Sequence, residues 1–477
     1  MAKLPDIQTN FAEWYQEVLV AAEVIDSSPT RGCFVIRPYG YAMWERIQKA
    51  LDAKIKDLGV KNAYFPLLIP ESFLQREKKH IEGFSPELAV VTIGGGEKLE
   101  EPLVVRPTSE TMIYHMFARW IKSWRDLPLN VNQWANVVRW EMRTRPFVRS
   151  LEFLWQEGHT AHRTHEEAVK MAEAALEMYR DMYENYLAVP AIVGMKTENE
   201  RFAGAERTYT IETLMQDGKA LQGCTSHVLA HSFPESFDVR FQDTDGSIQV
   251  PYCTSWGFTT RSIGAVIMSH GDNDGLIIPP AIAPYQVAII PIFKTDEERS
   301  AVVDRADALR RELEDAGISC VFDADASTTP GAKFFHWEVR GVPVRLEIGP
   351  KDMASNHVVL VNRMIKDKAA KKQIVPMNQL VEKAQALLNT IQKDLLTRAR
   401  ERVQASWHQG DKIAEFGPSL EANNGLYQAG WCGQAACETQ IKTFKGTIRC
   451  LLDEKKHSSC FGCSGASVGD ILIAKAY

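Results

Sequence analysis

The stretch IIPPAIAPYQ, residues 277–286, places Pro279, Pro280 and Pro284 within six positions. Proline fixes φ and has no N–H to donate, so neither a helix interior nor a central strand can pass through such a stretch. It divides the chain. At 477 residues the chain also exceeds what one hydrophobic core holds, so two or three domains are expected. Upstream, helices and strands mix without an internal repeat. Downstream, strand and helix patterns alternate, as in a small α/β domain with a parallel or mixed sheet. A cysteine-bearing tail follows. The expected units are residues 1–280, 284–404 and 405–477.

Several elements are legible. Residues 41–58 carry Trp44, Ile47, Leu51, Ile55 and Leu58 at helical spacing, with Gly59 as a stop. NAYFPLLIP is an apolar extended segment, and LVVRPTSE predicts a short strand running into a turn. A helix is predicted from Thr164 to about Ala188, opened by a Thr164–Glu167 capping box, and serves as scaffold. Past the prolines the pattern predicts strands in QVAIIPI, ISCVFD, PVRLEI and HVVLVN. It predicts helices over 296–315 and 332–339, and a long helix from Asn378.

The composition, 45% hydrophobic and 24% charged, is that of an ordinary globular protein. Lys3, Asp6, Glu13 and Glu17 break any apolar leader, and no run of about 18 apolar residues exists. A cytoplasmic protein with no membrane partner is expected. The net charge of −6 does not point to nucleic acid, yet residues 340–404 hold 13 Lys/Arg against 6 Asp/Glu. On charge alone this is a solvated helix face or a phosphate-binding patch.

Of nine cysteines, Cys432, Cys437, Cys450, Cys460 and Cys463 fall in the last 46 residues. The pairs Cys432-x4-Cys437 and Cys460-x2-Cys463 suit a structural tetrahedral zinc site, with Cys450 and His457 as competing donors.

The densest chemistry lies in RWEMRTRPFVRSLEFLWQEGH, residues 139–159. Arg139, Arg143, Arg145 and Arg149 precede an apolar, aromatic run. Arginine binds phosphate and carboxylate through a bidentate fork and keeps its charge when buried. If the strand persists, Arg139 and Glu141 share a side, as do Phe153, Trp155 and Glu157 on the return strand. The same pattern also suits a salt-bridged hairpin. RPTSE (106–110) offers Thr108 and Glu110 to an ammonium group. LQGCTSH (221–227) gathers Gln222, Thr225 and His227, and Thr259 and Arg261 precede an apolar segment. No P-loop, dinucleotide fingerprint or kinase signature set is present. HIEG (80–83) lacks the second histidine of a HIGH motif.

Taken in order, VRPTSE, NVVRWE, EFLWQEGH, CTSHVLA and SWGFTTR resemble the class II aminoacyl-tRNA synthetases. Within them the chain resembles the prolyl-tRNA synthetases of archaeal/eukaryotic-like type, over essentially its whole length. GAKFFHWEVRGVPVRLEIGPKD is similar to that family's anticodon-binding domain, and the cysteine tail to its extra C-terminal domain. The resemblance implies an α+β protein: a class II antiparallel-sheet catalytic core, an α/β anticodon-binding domain and a small zinc-binding C-terminal domain. It implies ATP-dependent ligation of L-proline to tRNA(Pro) through prolyl-adenylate, with Mg²⁺, by a homodimer. A synthetase for another amino acid and an inactive tRNA-binding regulator are the alternatives.

By position in the motifs, the resemblance assigns Arg139, Arg149 and Arg261 to catalysis. ATP falls to Arg139, Glu141, Arg149, Phe153, Gln222, Thr225, Thr259 and Arg261, with Glu212 a weaker candidate for Mg²⁺. Proline falls to Thr108, Glu110, Arg139, Trp155, Glu157, His159 and His227. Glu347, Lys351 and Asp352 are the anticodon candidates. Only 92 residues separate His159 from Tyr252, too few for the editing insertion of bacterial-type relatives. Tyr477 is expected to bring the chain terminus back towards the active site.

Overall fold

The computed structural model describes residues 3–75 and 88–477. HIEG lies outside them. The architecture is built on a mixed sheet of eleven strands. Its centre is an antiparallel ladder running Leu129–Val138, Glu152–His162, Tyr252–Thr259, Ala220–Ala230, Arg207–Leu214, Ile192–Met195. The helix His165–Asp181 packs across one face and continues as a π-helical turn, Met182–Tyr186. Its Thr164–Glu167 capping box is present. Tyr179 and Tyr183 on this helix are buried against Phe258, and Tyr179 also meets Trp256. Each such aromatic contributes roughly 1.5–3 kcal/mol by leaving water. The neighbouring strand makes room: a Cβ on Gly158 would lie 2.2 Å from the Trp256 ring.

The helices Phe11–Ala21 and Pro38–Asp57 also pack on this core, and in the second Trp44, Ile47, Leu51 and Ile55 are buried as the periodicity requires. LVVRPTSE ends a longer strand, Glu97–Val105, and then opens a helix, Glu110–Trp120, rather than a turn. The chain between His162 and Tyr252 is taken up by the sheet, its covering helices and one small hairpin, so the described residues hold no inserted domain there.

After the prolines comes a separate five-stranded mixed sheet with its own core. Val287–Pro291 pairs in parallel with Cys320–Phe322 and Val344–Ile348. His357–Asn362 and Lys372–Pro376 then add antiparallel. The last of these strands carries no strong apolar pattern and escaped the sequence reading. The helices Asp296–Asp315 and Pro330–Val339 flank the sheet, and Leu380–Ala405 crosses back to the catalytic unit. There Arg398 and Arg402 donate to the carbonyls of His270 and Ser269, at the C-terminus of the helix Arg261–His270. Cations there oppose the negative end of the helix dipole.

The tail is not the detached module its cysteines suggest. Its strands Trp407–Gln409, Leu426–Trp431, Gly469–Ala474 and Thr447–Leu452 extend the catalytic sheet, joining it where Leu451 pairs with Met195.

Two buried histidines make the fold acid-sensitive. His270 bonds the Leu187 carbonyl through Nε2, and its Nδ1 has no partner among the described residues. Burial drives its pKa down to about 3, and that of His162 to about 4. The native state keeps both neutral, while the unfolded chain takes up protons below pH about 6.5. Stability therefore falls as pH drops below about 6.5, by about 1.4 kcal/mol per pH unit for each group. His270→Gln keeps a donor for Leu187 and should flatten that acid limb. Thermal midpoints between pH 7 and 5 that fall equally in both proteins would refute the assignment.

Candidate functional site

The sheet holds a cavity of about 280 Å³ on the face opposite the covering helix. The fourteen residues assigned to ATP and proline all line it: Thr108, Glu110, Arg139, Glu141, Arg149, Phe153, Trp155, Glu157, His159, Gln222, Thr225, His227, Thr259 and Arg261. The alternation of one strand does much of this. Along Glu152–His162, the odd positions 153, 155, 157 and 159 all face the cavity.

The cationic end is held by backbone carbonyls. The outgoing strand stops at Val138, so Arg139 and Glu141 reach the cavity from a loop, not from shared strand alternation. The Arg139 N–H donates to Leu151 O as the last rung, and its side-chain Nε donates to Pro107 O at 3.0 Å. The Arg139 guanidinium lies 5.5 Å from the Phe153 ring centre and 5.7 Å from that of Trp155. Arg261 donates to Val148 O and Gln222 O. Burial lowers its pKa, and the charges of Arg139 and Arg149 lower it further. Two cations fixed by backbone carbonyls, with Arg149 beside them, concentrate positive charge at this end and suit a polyanion. Arg149 stands half exposed at the rim, 3.8 Å from Glu141. Arg143 and Arg145 do not line the cavity; Arg145 lies 5.0 Å over the Tyr477 ring.

The other end is closed and acidic. Thr108, Glu110, Glu157 and His159 are each at most 4% exposed. Thr108 donates to Glu110, while Ser109 and Gln133 both donate to Glu157 Oε1. His159 Nε2 bonds Glu157 Oε2 at 2.9 Å. Burial alone would lower the His159 pKa, but the bond to Glu157 and the charges of Glu157 and Glu110 raise it above the usual value. His227 is fixed between Thr208 at 2.9 Å and Thr225 at 3.0 Å, with the Phe202 ring 4.6 Å away. Acceptors beside a Trp155 and Phe202 wall suit a small apolar ammonium.

Lys196, Glu200, Phe202, Thr208 and Ser255 also line the cavity and were not singled out in the sequence. KTENERFAG has the composition of a surface loop, and only the fold brings it here. Glu212 behaves otherwise than expected. It is fully buried and does not line the cavity. Lys196 holds its Oε1 and Arg449 its Oε2. Burial works to raise its pKa, but these two cations outweigh it and hold it low.

In the tail, the thiols of Cys432, Cys437, Cys460 and Cys463 lie within 4.8 Å of one another, and none is in a disulfide. Cys432 Sγ is 3.7 Å from those of Cys437 and Cys463. Sulfurs about 2.3 Å from a tetrahedral ion stand about 3.8 Å apart, so the four can hold a metal. Burial would raise the Cys460 thiol, yet N–H groups of Gly462, Cys463 and Cys432 bring it down to about 7. Cys450 and His457 stand outside the cluster; His457 bonds Asp470.

Of the anticodon candidates, Glu347 pairs with Arg345 and Lys372. Asp352 accepts from the Gly349 N–H to start a short helix, and Lys351 is exposed.

Comparison with known proteins agrees with this geometry. Residues 92–270 match the tRNA synthetase class II core domain (G, H, P, S and T). Residues 286–387 match an anticodon binding domain, and 413–477 the C-terminal domain of prolyl-tRNA synthetase. The chain is 47% identical to a proline–tRNA ligase of Borreliella burgdorferi (strain ZS7), covering 98% of both chains. It is 47% identical to that of Natranaerobius thermophilus, covering 98% of this chain and 96% of the relative. A crystal structure of prolyl-tRNA synthetase from Cryptosporidium parvum, complexed with halofuginone and AMPPNP, superposes with a TM-score of 0.93 at 40% identity. That match covers 99% of each chain. With three successive domains matched and near-complete coverage of its relatives, the chain belongs to the prolyl-tRNA synthetase family.

Proposed function

We propose that this chain joins L-proline to tRNA(Pro) in two ATP-dependent steps. One observation carries the reading: a single cavity holds three arginines at one end and an acceptor-rich, aromatic-walled pocket at the other. The proline carboxylate attacks the α-phosphorus of MgATP; the bond to the bridging oxygen breaks, and pyrophosphate leaves. Arg139 lies between the two ends and neutralises both the carboxylate and the α-phosphate. Arg149 and Arg261 take the outer phosphates, and Phe153 with Arg261 sandwiches adenine. Glu141, Gln222, Thr225 and Thr259 complete the nucleotide site. Glu110 and Thr108 receive the secondary ammonium, Trp155 flanks the ring, and Glu157, His159 and His227 close the pocket. Positioning and charge neutralisation supply most of the acceleration. In the second step a terminal ribose hydroxyl of tRNA attacks the prolyl carbonyl carbon, and AMP leaves.

The other assignments follow the same reading. Residues 1–280, 284–404 and 405–477 are the catalytic, anticodon-binding and C-terminal units. Glu347, Lys351 and Asp352 contact the anticodon. The four thiolates hold a structural Zn²⁺, which would pin the Cys432 and Cys460 loops. The enzyme is a cytoplasmic homodimer, and exposed Val35, Tyr64 and Ile93 provide apolar surface for the contact. Tyr477 donates to Asp217 at 2.7 Å beneath Arg145, tying the terminus to the arginine loop.

ATP–pyrophosphate exchange should be strongest with proline among the twenty amino acids. Arg139→Ala should cut it by about 10²–10³. Absence of exchange with every amino acid, with and without tRNA, would defeat the enzyme reading. Purified protein should hold one zinc per chain. Cys432→Ser/Cys437→Ser should lose it and lower the thermal midpoint, whereas metal-free wild-type protein of full stability would dismiss the zinc site. Deleting Tyr477 should slow activation; unchanged exchange would rule out a role for the terminus.

A further inference from the structure

Lys196 lines the cavity, yet its ammonium is held by groups from two domains. Its Nζ donates to Glu212 Oε1 at 2.8 Å and to the backbone carbonyl of Arg449 at 2.7 Å. Arg449 belongs to the tail strand Thr447–Leu452. Its side chain grips the same carboxylate from the other side, Nε and Nη2 to Glu212 Oε2 at 2.9 and 2.8 Å. Thr210 fills the last acceptor position on Oε1. The three charged side chains sum to +1 and are at most 8% exposed.

A buried charge triad of this kind is a costly way to join two domains. Apolar residues of similar volume would do so at least as well. Its retention beside a ligand cavity calls for a use of the surplus positive charge. Glu212 stands opposite Gln222 across the ladder, and Gln222 O is the carbonyl that holds Arg261. The triad therefore borders the polyphosphate end. Lys196 has three N–H donors, and two are used by Glu212 and Arg449.

We infer that Lys196 presents its remaining donor to the phosphates of ATP, and that Arg449 of the C-terminal domain is the positioning residue that aims it through Glu212. The tail is thus part of the nucleotide site. The junction is built closely enough to do this. A Cβ on Gly194 would lie 2.4 Å from Leu451 O and 2.6 Å from Cys450 Sγ, so the two strands meet without a side chain between them. Asn199, past Lys196, donates to Glu438 of the tail at 2.8 Å, so the tail grips this segment at both ends.

The inference rests on the ATP- and proline-activating reading of the cavity. Its test is proline-dependent ATP–pyrophosphate exchange on the full chain, with KM measured separately for ATP and proline. Arg449→Met should raise the KM for ATP at least fivefold and lower kcat about tenfold, leaving the proline KM within twofold. Arg449→Lys should recover most of the loss. Should Arg449→Met fold poorly, Lys196→Met, which leaves the Glu212–Arg449 pair intact, should show the same rise confined to ATP. An unchanged ATP KM in Lys196→Met, or a loss of kcat in Arg449→Met with both KM values unchanged, overturns it. Wild-type protein without proline-dependent exchange would instead defeat the functional reading itself.

Discussion

The cationic end of the cavity depends on one constraint: arginines gathered around an opening must be held in a fixed place, and backbone carbonyls do part of that holding. Arg139 and Arg261 meet it by donating to the carbonyls of Pro107, Val148 and Gln222. Pro107 and Val148 lie in loops, and Gln222 sits at a bulge of its strand, where the ladder register shifts. An antiparallel ladder supplies both parts. Its interior satisfies the backbone, and the bulge and flanking loops leave carbonyls free to hold side chains at the cavity.

The two ends of the cavity follow opposite electrostatic logic. At the cationic end, burial and the nearby charges of Arg139 and Arg149 together lower the pKa of Arg261. At the closed end, Glu157 is fully engaged by Ser109, Gln133 and His159 before any ligand arrives. That network fixes the pocket's shape. It also holds a proton on His159 more firmly than burial alone would permit. In the proposed role, a pocket rigid in this way would measure a ring by size, and a missing methylene would forfeit only about 1–3 kcal/mol.

Much of this was legible in the sequence, for identifiable reasons. The helix Asp296–Asp315 was readable to both ends because Thr295 caps it and Gly317 follows it. The site residues were legible because they sit in short runs of unusual composition. The helix Glu110–Trp120 was not, since its N-cap Ser109 makes no side-chain capping bond and RPTSE has the appearance of a turn. Lys196 and Phe202 lie in a polar loop whose importance comes from where the sheet turns it. Glu212, with one acidic position among alternating polar residues, passes equally for a metal ligand. Only its burial between Lys196 and Arg449 shows otherwise. The merger of the tail with the catalytic sheet had no local signature at all, because strand pairing over more than two hundred residues of sequence leaves none.

That merger sets an order in time. The strand Ile192–Met195 is an edge until Thr447–Leu452 arrives, and the latter is an edge until Gly469–Ala474 arrives. During synthesis the catalytic sheet is therefore exposed along one side until residues 469–474 have been made. A chain that stopped before Gly469 would hold Arg139, Arg149 and Arg261 and leave a strand of the same sheet unsatisfied. Such a product is prone to pair with its neighbours along that edge, so the last strand closes the sheet against aggregation as well as completing the tail.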